Sequence, residues 1–268
     1  MNGIVSAIVI ITIIGILASV MLVLAAKFLY VPEDARIGLV QEVLPGANCG
    51  ACGFAGCADY AKAIVENGAP TNLCVPGGAG AAESVSKVMG VKAEAKDPVK
   101  AVVRCQGFDF NTTEKYEYQG VTTCSAAAKI FAGPSACAYG CLGFGDCVAA
   151  CKFDAIHVVN GVALVDMAKC TGCGACTKAC PKAIIDLIPD DVNPVVLCRN
   201  VDKGAVTRKV CSTGCIGCMR CTKVCPTSAI TVENNLARID QSLCIGCMQC
   251  AGECPVKAIQ LPNIRAGY

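Results

Sequence analysis

The stretch CIGCMRCTKVCP, residues 215–226, places four cysteines within eleven positions and ends them with a proline, and two other stretches repeat the device. CTGCGACTKACP begins at Cys170 and CIGCMQCAGECP at Cys244. Cysteine makes up 24 of the 268 residues, about 9%, close to the level that marks a scaffold built on cysteine rather than on an ordinary core. Disulfides and metal are the two ways to use so much sulfur. Disulfide scaffolds are usually short secreted chains, so the length favours metal.

The remaining composition excludes several function classes. The chain has 23 basic and 21 acidic residues, one histidine and no tryptophan, and no run of like charge longer than two. Without a basic stripe, nucleic acid is not an expected partner. With His157 alone, acid–base and triad chemistries have almost no raw material, so no catalytic residue is assigned, and His157 is read as a core or surface side chain.

Residues 3–26, GIVSAIVIITIIGILASVMLVLAA, carry no charge over 24 positions. As a helix that length spans roughly 36 Å, enough to cross a bilayer. No basic segment precedes it and the apolar run exceeds a signal-peptide core, which favours a retained anchor. Lys27 and Arg36 follow it, so the positive-inside bias puts a single-pass chain in the cytoplasmic membrane with its body in the cytoplasm. A short helix is expected next, with Pro32 near its first position and Glu33 and Asp34 in its first turn.

Sliding the chain against itself by 74 residues superposes nine cysteine pairs, which marks a duplication. Cys124, Cys137, Cys141, Cys147 and Cys151 fall on Cys198, Cys211, Cys215, Cys221 and Cys225; Cys170, Cys173, Cys176 and Cys180 fall on Cys244, Cys247, Cys250 and Cys254. Between the motifs, AIHVVNGVALVD matches AITVENNLARID. Each is read as two short strands around Asn160-Gly161 or Asn234-Asn235, residues suited to a tight hairpin.

C-x2-C-x2-C lets three thiolates converge from one loop on three corners of a cubane, and in the two-cluster pattern the fourth cysteine, before proline, ligates the other cluster. Zinc ribbons use two separated C-x2-C knuckles instead. The crossover rule predicts one 4Fe-4S cluster on Cys215, Cys218, Cys221 and Cys254, a second on Cys244, Cys247, Cys250 and Cys225, and a third on Cys170, Cys173, Cys176 and Cys151. A fourth set is irregular, because Phe144 stands where Cys218 stands in the second repeat. Cys141, Cys147 and Cys180 therefore need a further ligand. Cys137 is the nearest candidate, which leaves Cys105, Cys124, Cys198 and Cys211 for another cluster. Alternatively Cys105 fills the gap and Cys124, Cys137, Cys198 and Cys211 group together.

Nearer the N-terminus, CGACGFAGC supplies Cys49, Cys52 and Cys57, and Cys74 follows. Beside the other motifs this set is read as iron–sulfur, which makes at least five 4Fe-4S clusters, and six if every thiol is used. PGGAGAAESV at 76–85 lacks the Gly-Lys-Ser/Thr ending of a phosphate cradle, and GFGDCVA at 143–149 is explained by its motif cysteine. No direct nucleotide binding is expected.

The fold class is therefore α+β. A transmembrane anchor (1–30) is followed by a small N-terminal 4Fe-4S domain (31–82), a linker (83–104) and two tandem bacterial two-cluster ferredoxin-like units (105–190 and 191–268).

An uncharged N-terminal span, then LPGANCGACGFAGC with a later cysteine, then ACAYGCLGFGDCVAAC and ferredoxin motifs, resembles the RnfB family, a component of the Rnf complex, over nearly the whole chain. The resemblance implies an electron-transfer subunit of a membrane-bound, ion-transporting ferredoxin:NAD oxidoreductase, moving electrons one at a time from reduced ferredoxin towards NAD. It also implies soluble ferredoxin, the other Rnf subunits and the membrane as partners. Lys152 departs from the pattern, standing where proline often follows the crossover cysteine. The rival readings are a relay subunit of a hydrogenase or formate dehydrogenase and, from another class, a redox-sensing iron–sulfur protein.

Overall fold

The computed structural model describes residues 2–28, 34–93, 97–190 and 193–262. Helix α1 (Asn2–Phe28) is the one helix among the described residues long and apolar enough to span a membrane, and its Val5–Ala25 segment packs against no other part of the chain. The hydroxyls of Thr12 and Ser19 donate to the Ile8 and Gly15 carbonyls at 2.7 and 2.8 Å. Both polar side chains are thus satisfied inside the helix, as a hydrocarbon environment demands.

Helix α2 (Ala35–Val43) starts at Asp34, which is its N-cap rather than a residue of its first turn and accepts from the Arg36 amide at 2.9 Å. The Arg36 side chain holds the Asp34 carboxyl at a pKa of about 2, well below the usual carboxylate range. Pro32 and Glu33 lie outside the described residues. Helices α3 (Cys57–Asn67) and α4 (Gly78–Met89) close on α2 around Ile37, Val40, Leu44, Tyr60, Ile64 and Val85. Tyr60 fixes the following loop: its hydroxyl donates to the Pro70 carbonyl at 2.7 Å and accepts from the Leu73 amide at 3.1 Å.

Part of the segment expected as linker is ordered and packed. Residues 83–89 complete α4, and β1 (Val99–Val103) buries Ala101, Val102 and Val103. In chain order there follow α5 (Cys124–Ala127), α6 (Asp146–Ala149), β2 (Ile156–Val159), β3 (Val162–Val165), α7 (Ala175–Ala179) and β4 (Ile185–Pro189). The second repeat carries β5 (Val195–Val196), α8 (Gly204–Val210), α9 (Arg220–Lys223), β6 (Ile230–Glu233), β7 (Leu236–Ile239), α10 (Gln249–Gly252) and β8 (Ile259–Gln260).

All four sheets are antiparallel pairs: β1 with β4, β2 with β3, β5 with β8 and β6 with β7. The expected hairpins are β2–β3 and β6–β7. Asn160 and Gly161 (φ 45° and 79°), like Asn234 and Asn235 (φ 49° and 62°), take the two left-handed positions that a two-residue turn matched to strand twist requires. His157 lies exposed on β2, 3.9 Å from Asp154.

Each repeat surrounds its motif cysteines with a thin apolar shell. In the first, Val103, Phe108, Ile156, Val162, Ile184 and Ile185 pack with Cys105, Cys147, Cys170 and Cys176; in the second, Val196, Ile230, Leu236 and Ile259 pack with Cys198, Cys215, Cys221 and Cys250. A third cluster, Val102, Ile188, Val195 and Leu197, joins the repeats. Beside it Asp186 pairs with Arg104 at 2.9 Å and with Arg199 at 2.6 Å.

The hairpin turns press on the cysteine loops. Gly217 has φ +63°, and a Cβ there would meet the Asn235 carbonyl oxygen at 2.8 Å and its Cα at 2.9 Å. Gly217→Ala combines a left-handed conformation with a backbone collision, so a loss of about 2 kcal/mol and a thermal midpoint several degrees lower are expected. Gly252→Ala, with nothing within 4 Å, is the control that leaves the melt unchanged.

Candidate metal centres

All 24 cysteines are free thiols. Thiolates that share a zinc ion lie about 2.3 Å from it, hence about 3.8 Å from one another. Among the described residues no three His, Cys, Asp or Glu side chains converge closely enough to hold a single ion. The thiols nevertheless gather around common pockets, as a wider inorganic core requires.

Cys49, Cys52, Cys57 and Cys74 line the first pocket. Asn48 shapes its loop by accepting the Cys57 amide on Oδ1 at 2.8 Å. A Cβ on Gly77 would lie 3.1 Å from the Cys74 sulfur and collide with Ala81, so only glycine fits beside that ligand position. Burial raises the Cys74 thiol against a hydrogen bond from Gly77, and Cys57, Cys49 and Cys52 raise it further.

The crossover pattern recurs in the repeats. Burial, then the charges of Cys170 and Cys173 and also of Cys151, push the Cys176 thiol up to about 11. Burial followed by Cys215, Cys218 and Cys254 does the same for Cys221. Cys250, also at about 11 through burial first, faces Cys244 and Cys247. The crossover sulfurs Cys151, Cys225 and Cys254 each accept a backbone amide four residues on, from Ala155, Ala229 and Ala258, at 3.4, 3.3 and 3.3 Å. Amides aimed at sulfur are the polar partners that tune iron–sulfur centres. Raised thiols must shed their protons as they take up metal.

The irregular set differs from both sequence alternatives. Cys124, Cys141, Cys147 and Cys180 line one pocket, so the gap left by Phe144 is faced by Cys124 and not by Cys137 or Cys105. Burial and then Cys141, Cys124 and Cys180 drive Cys147 to about 12. Asp146 fixes the newcomer: its carboxylate accepts the Cys124 and Ser125 amides at 2.8 and 2.9 Å and the Ser125 hydroxyl at 2.6 Å. The only sequence signal was the vacant ligand position at 144; Asp146 gave none. Cys137 instead lines a pocket between the repeats with Cys105, Cys198 and Cys211.

Lys152 also acquires a physical reason. Its ammonium donates to the Asn48 carbonyl at 2.7 Å, joining the residue after Cys151 to the residue before Cys49. The cavity behind this contact is lined by Cys74 on one side and Cys170 and Cys173 on the other. At the far end, Cys218 and Cys247 are exposed, among exposed Met219, Leu243 and Ile245.

Three family models match the chain: an Fe-S cluster family over residues 44–76, the 4Fe-4S binding domain over 163–186 and the 4Fe-4S dicluster domain over 214–258. The RnfB component of the Na(+)-translocating ferredoxin:NAD(+) oxidoreductase complex of Acetobacterium woodii is 45% identical over 241 residues, 90% of this chain and 72% of the relative. The proton-translocating counterpart of Clostridium ljungdahlii is 44% identical over 91% of this chain and 86% of its own length. The chain belongs to the RnfB family. A third RnfB relative, from the ion-translocating oxidoreductase complex of Methanosarcina acetivorans, is 42% identical over 85% of this chain and 87% of the relative. Membership, the 4Fe-4S domains and the apolar helix α1 together make this an iron–sulfur electron-transfer protein associated with a membrane.

Proposed function

We propose that the chain is the electron-relaying subunit of an ion-translocating ferredoxin:NAD oxidoreductase, accepting electrons from reduced ferredoxin and passing them through its clusters to the other Rnf subunits. In this reading the anchor 1–30 is single-pass and Lys27 and Arg36 hold the body on the cytoplasmic side. An N-terminal 4Fe-4S domain, 31–82, and two α+β ferredoxin-like units, 105–190 and 191–268, form that body.

Five ligand sets follow from the pockets and the crossover rule: Cys49, Cys52, Cys57 and Cys74; Cys124, Cys141, Cys147 and Cys180; Cys151, Cys170, Cys173 and Cys176; Cys215, Cys218, Cys221 and Cys254; Cys225, Cys244, Cys247 and Cys250. When bound, a 4Fe-4S cluster supplies one-electron chemistry by alternating between two iron valence states. The residues' part is to hold, to bury and to hydrogen-bond the sulfurs; no side chain needs to move a proton. The observation that carries the relay reading is the Lys152–Asn48 contact, which brings the membrane-side thiols against those of the first repeat.

Mixing the anaerobic full-length chain in detergent with reduced ferredoxin should bleach its iron–sulfur absorption, with several electrons taken up per chain. Absence of bleaching would remove the proposal. Each oxidised cluster with four thiolates carries about 2−, so a protein of formal charge +2 becomes strongly anionic once loaded. Between about 10 mM and 1 M salt the Debye length falls from about 30 to about 3 Å, and the uptake rate should change several-fold. A rate indifferent to salt would rule out charge-guided docking.

A further inference from the structure

The four remaining cysteines lie in the seam between the repeats. Cys105, Cys137, Cys198 and Cys211 line one pocket, outside every family-model match. We propose that these four thiolates hold a 4Fe-4S cluster of their own, shared by the two repeats, each supplying two ligands. The proposal rests on the iron–sulfur relay reading and adds a centre where the halves meet.

Strand register shows that the two halves contribute equivalent residues. Val103 pairs with Ile185 on β1–β4, and Val196 pairs with Ile259 on β5–β8. Ile185 and Ile259 are 74 residues apart, the repeat length, so Val103 and Val196 are counterparts. Cys105 and Cys198 each lie two residues beyond. Cys137 and Cys211 are already partners under the 74-residue shift. The pocket thus takes two pairs of equivalent residues, as a site on a pseudo-twofold axis does.

The sulfur environments repeat as well. Cys105 accepts the Gly107 and Cys141 amides, both at 3.3 Å. Cys198 accepts the Asn200 amide at 3.4 Å and the Cys215 amide, the counterparts two residues on and at the head of the next motif. Cys211 meets the Thr213 hydroxyl at 3.5 Å, and Cys137 receives the Asn200 side-chain amide at 3.5 Å. All four sulfurs therefore carry polar partners like those of the motif ligands, whereas a purely structural thiol asks only for apolar packing.

Asn200 is built into the site. It is 1% exposed, and its Oδ1 accepts the Asp202 amide at 2.7 Å and the Thr207 hydroxyl at 3.3 Å, which directs Nδ2 to Cys137. Backbone contacts across the seam hold Cys211 in place, the Ser212 amide donating to the Asn111 carbonyl at 2.9 Å and the Thr112 hydroxyl to the Val210 carbonyl at 2.8 Å. The single-ion alternative fails on the same spacing that fails elsewhere among the described residues.

Iron and acid-labile sulfide per full-length chain, purified anaerobically in detergent, test the site. Six sets predict about 24 of each. About 20 would overturn this inference and leave the relay reading intact; iron-free or zinc-loaded protein would remove both. Cys198→Ser should lose about four irons, and an undiminished count would overturn the assignment. If that variant fails to fold, Asn200→Asp decides. Replacing the N–H donor with an acceptor of the same shape should keep the iron and move one midpoint potential downwards in a potentiometric EPR titration. A titration identical to the parent's would refute the site.

Discussion

Stripping iron from the full-length chain should abolish the folded state of both repeats, leaving α1 helical in its detergent. The regular structure beyond residue 97 consists of helices of at most seven residues and strands of two to five residues in two-stranded pairs. Neither kind is stable alone: isolated helices need about 12–15 residues, and single hairpins are marginal in water. Sulfur fills much of each core, with Cys105, Cys147, Cys170 and Cys176 buried in one and Cys198, Cys215, Cys221 and Cys250 in the other. A domain's net stability is about 5–15 kcal/mol, whereas a structural metal site in a zinc-finger peptide alone contributes about 10–16 kcal/mol. Loss of several clusters therefore exceeds anything the apolar shell can supply. Far-UV circular dichroism and limited proteolysis should show residues 97–262 melted and cleaved. An apoprotein with an unchanged cooperative melt would show that the shell folds unaided.

The second large effect is a loss with a specific rescue. Cys124→Ser should cost the chain about four irons, and adding Phe144→Cys should restore them. Phe144 occupies the place filled in the other repeat by Cys218, so cysteine there recreates C-x2-C-x2-C beside Cys141 and Cys147. Serine at 124 removes the thiol that now faces those two and Cys180. Its neighbours are otherwise retained, because the Asp146 carboxylate holds the backbone amides at 124 and 125. Iron, sulfide and spin quantification on the parent, single and double variants would decide. Full iron in the single variant, or no recovery in the double, would exclude Cys124 as the substitute ligand.

Local chemistry was legible in the sequence where it is set by neighbours along the chain. The crossover cysteines, both hairpins with their asparagine turns and the uncharged α1 needed only spacing and residue type. Pairings set across the fold were hidden. The 74-residue shift matched Cys124 with Cys198, whereas strand register makes Cys105 the counterpart of Cys198, because 32 positions separate Cys105 from Cys137 and only 13 separate Cys198 from Cys211. The longer segment in the first repeat carries Cys124, which has no equivalent in the second. Likewise Lys100 and Arg104 masked β1 as linker, although one lies on the Cys170 carbonyl and the other between Val196 and Asp186.

The substitution of Cys124 for the missing thiol at 144 bears on how cofactor content is tallied from genomes. A motif search that scores uninterrupted cysteine triplets passes over this centre, since its fourth donor comes from a lengthened loop upstream. Duplicated redox modules can therefore rewire their ligands without losing a conducting site, and inventories built on consecutive spacing will undercount them.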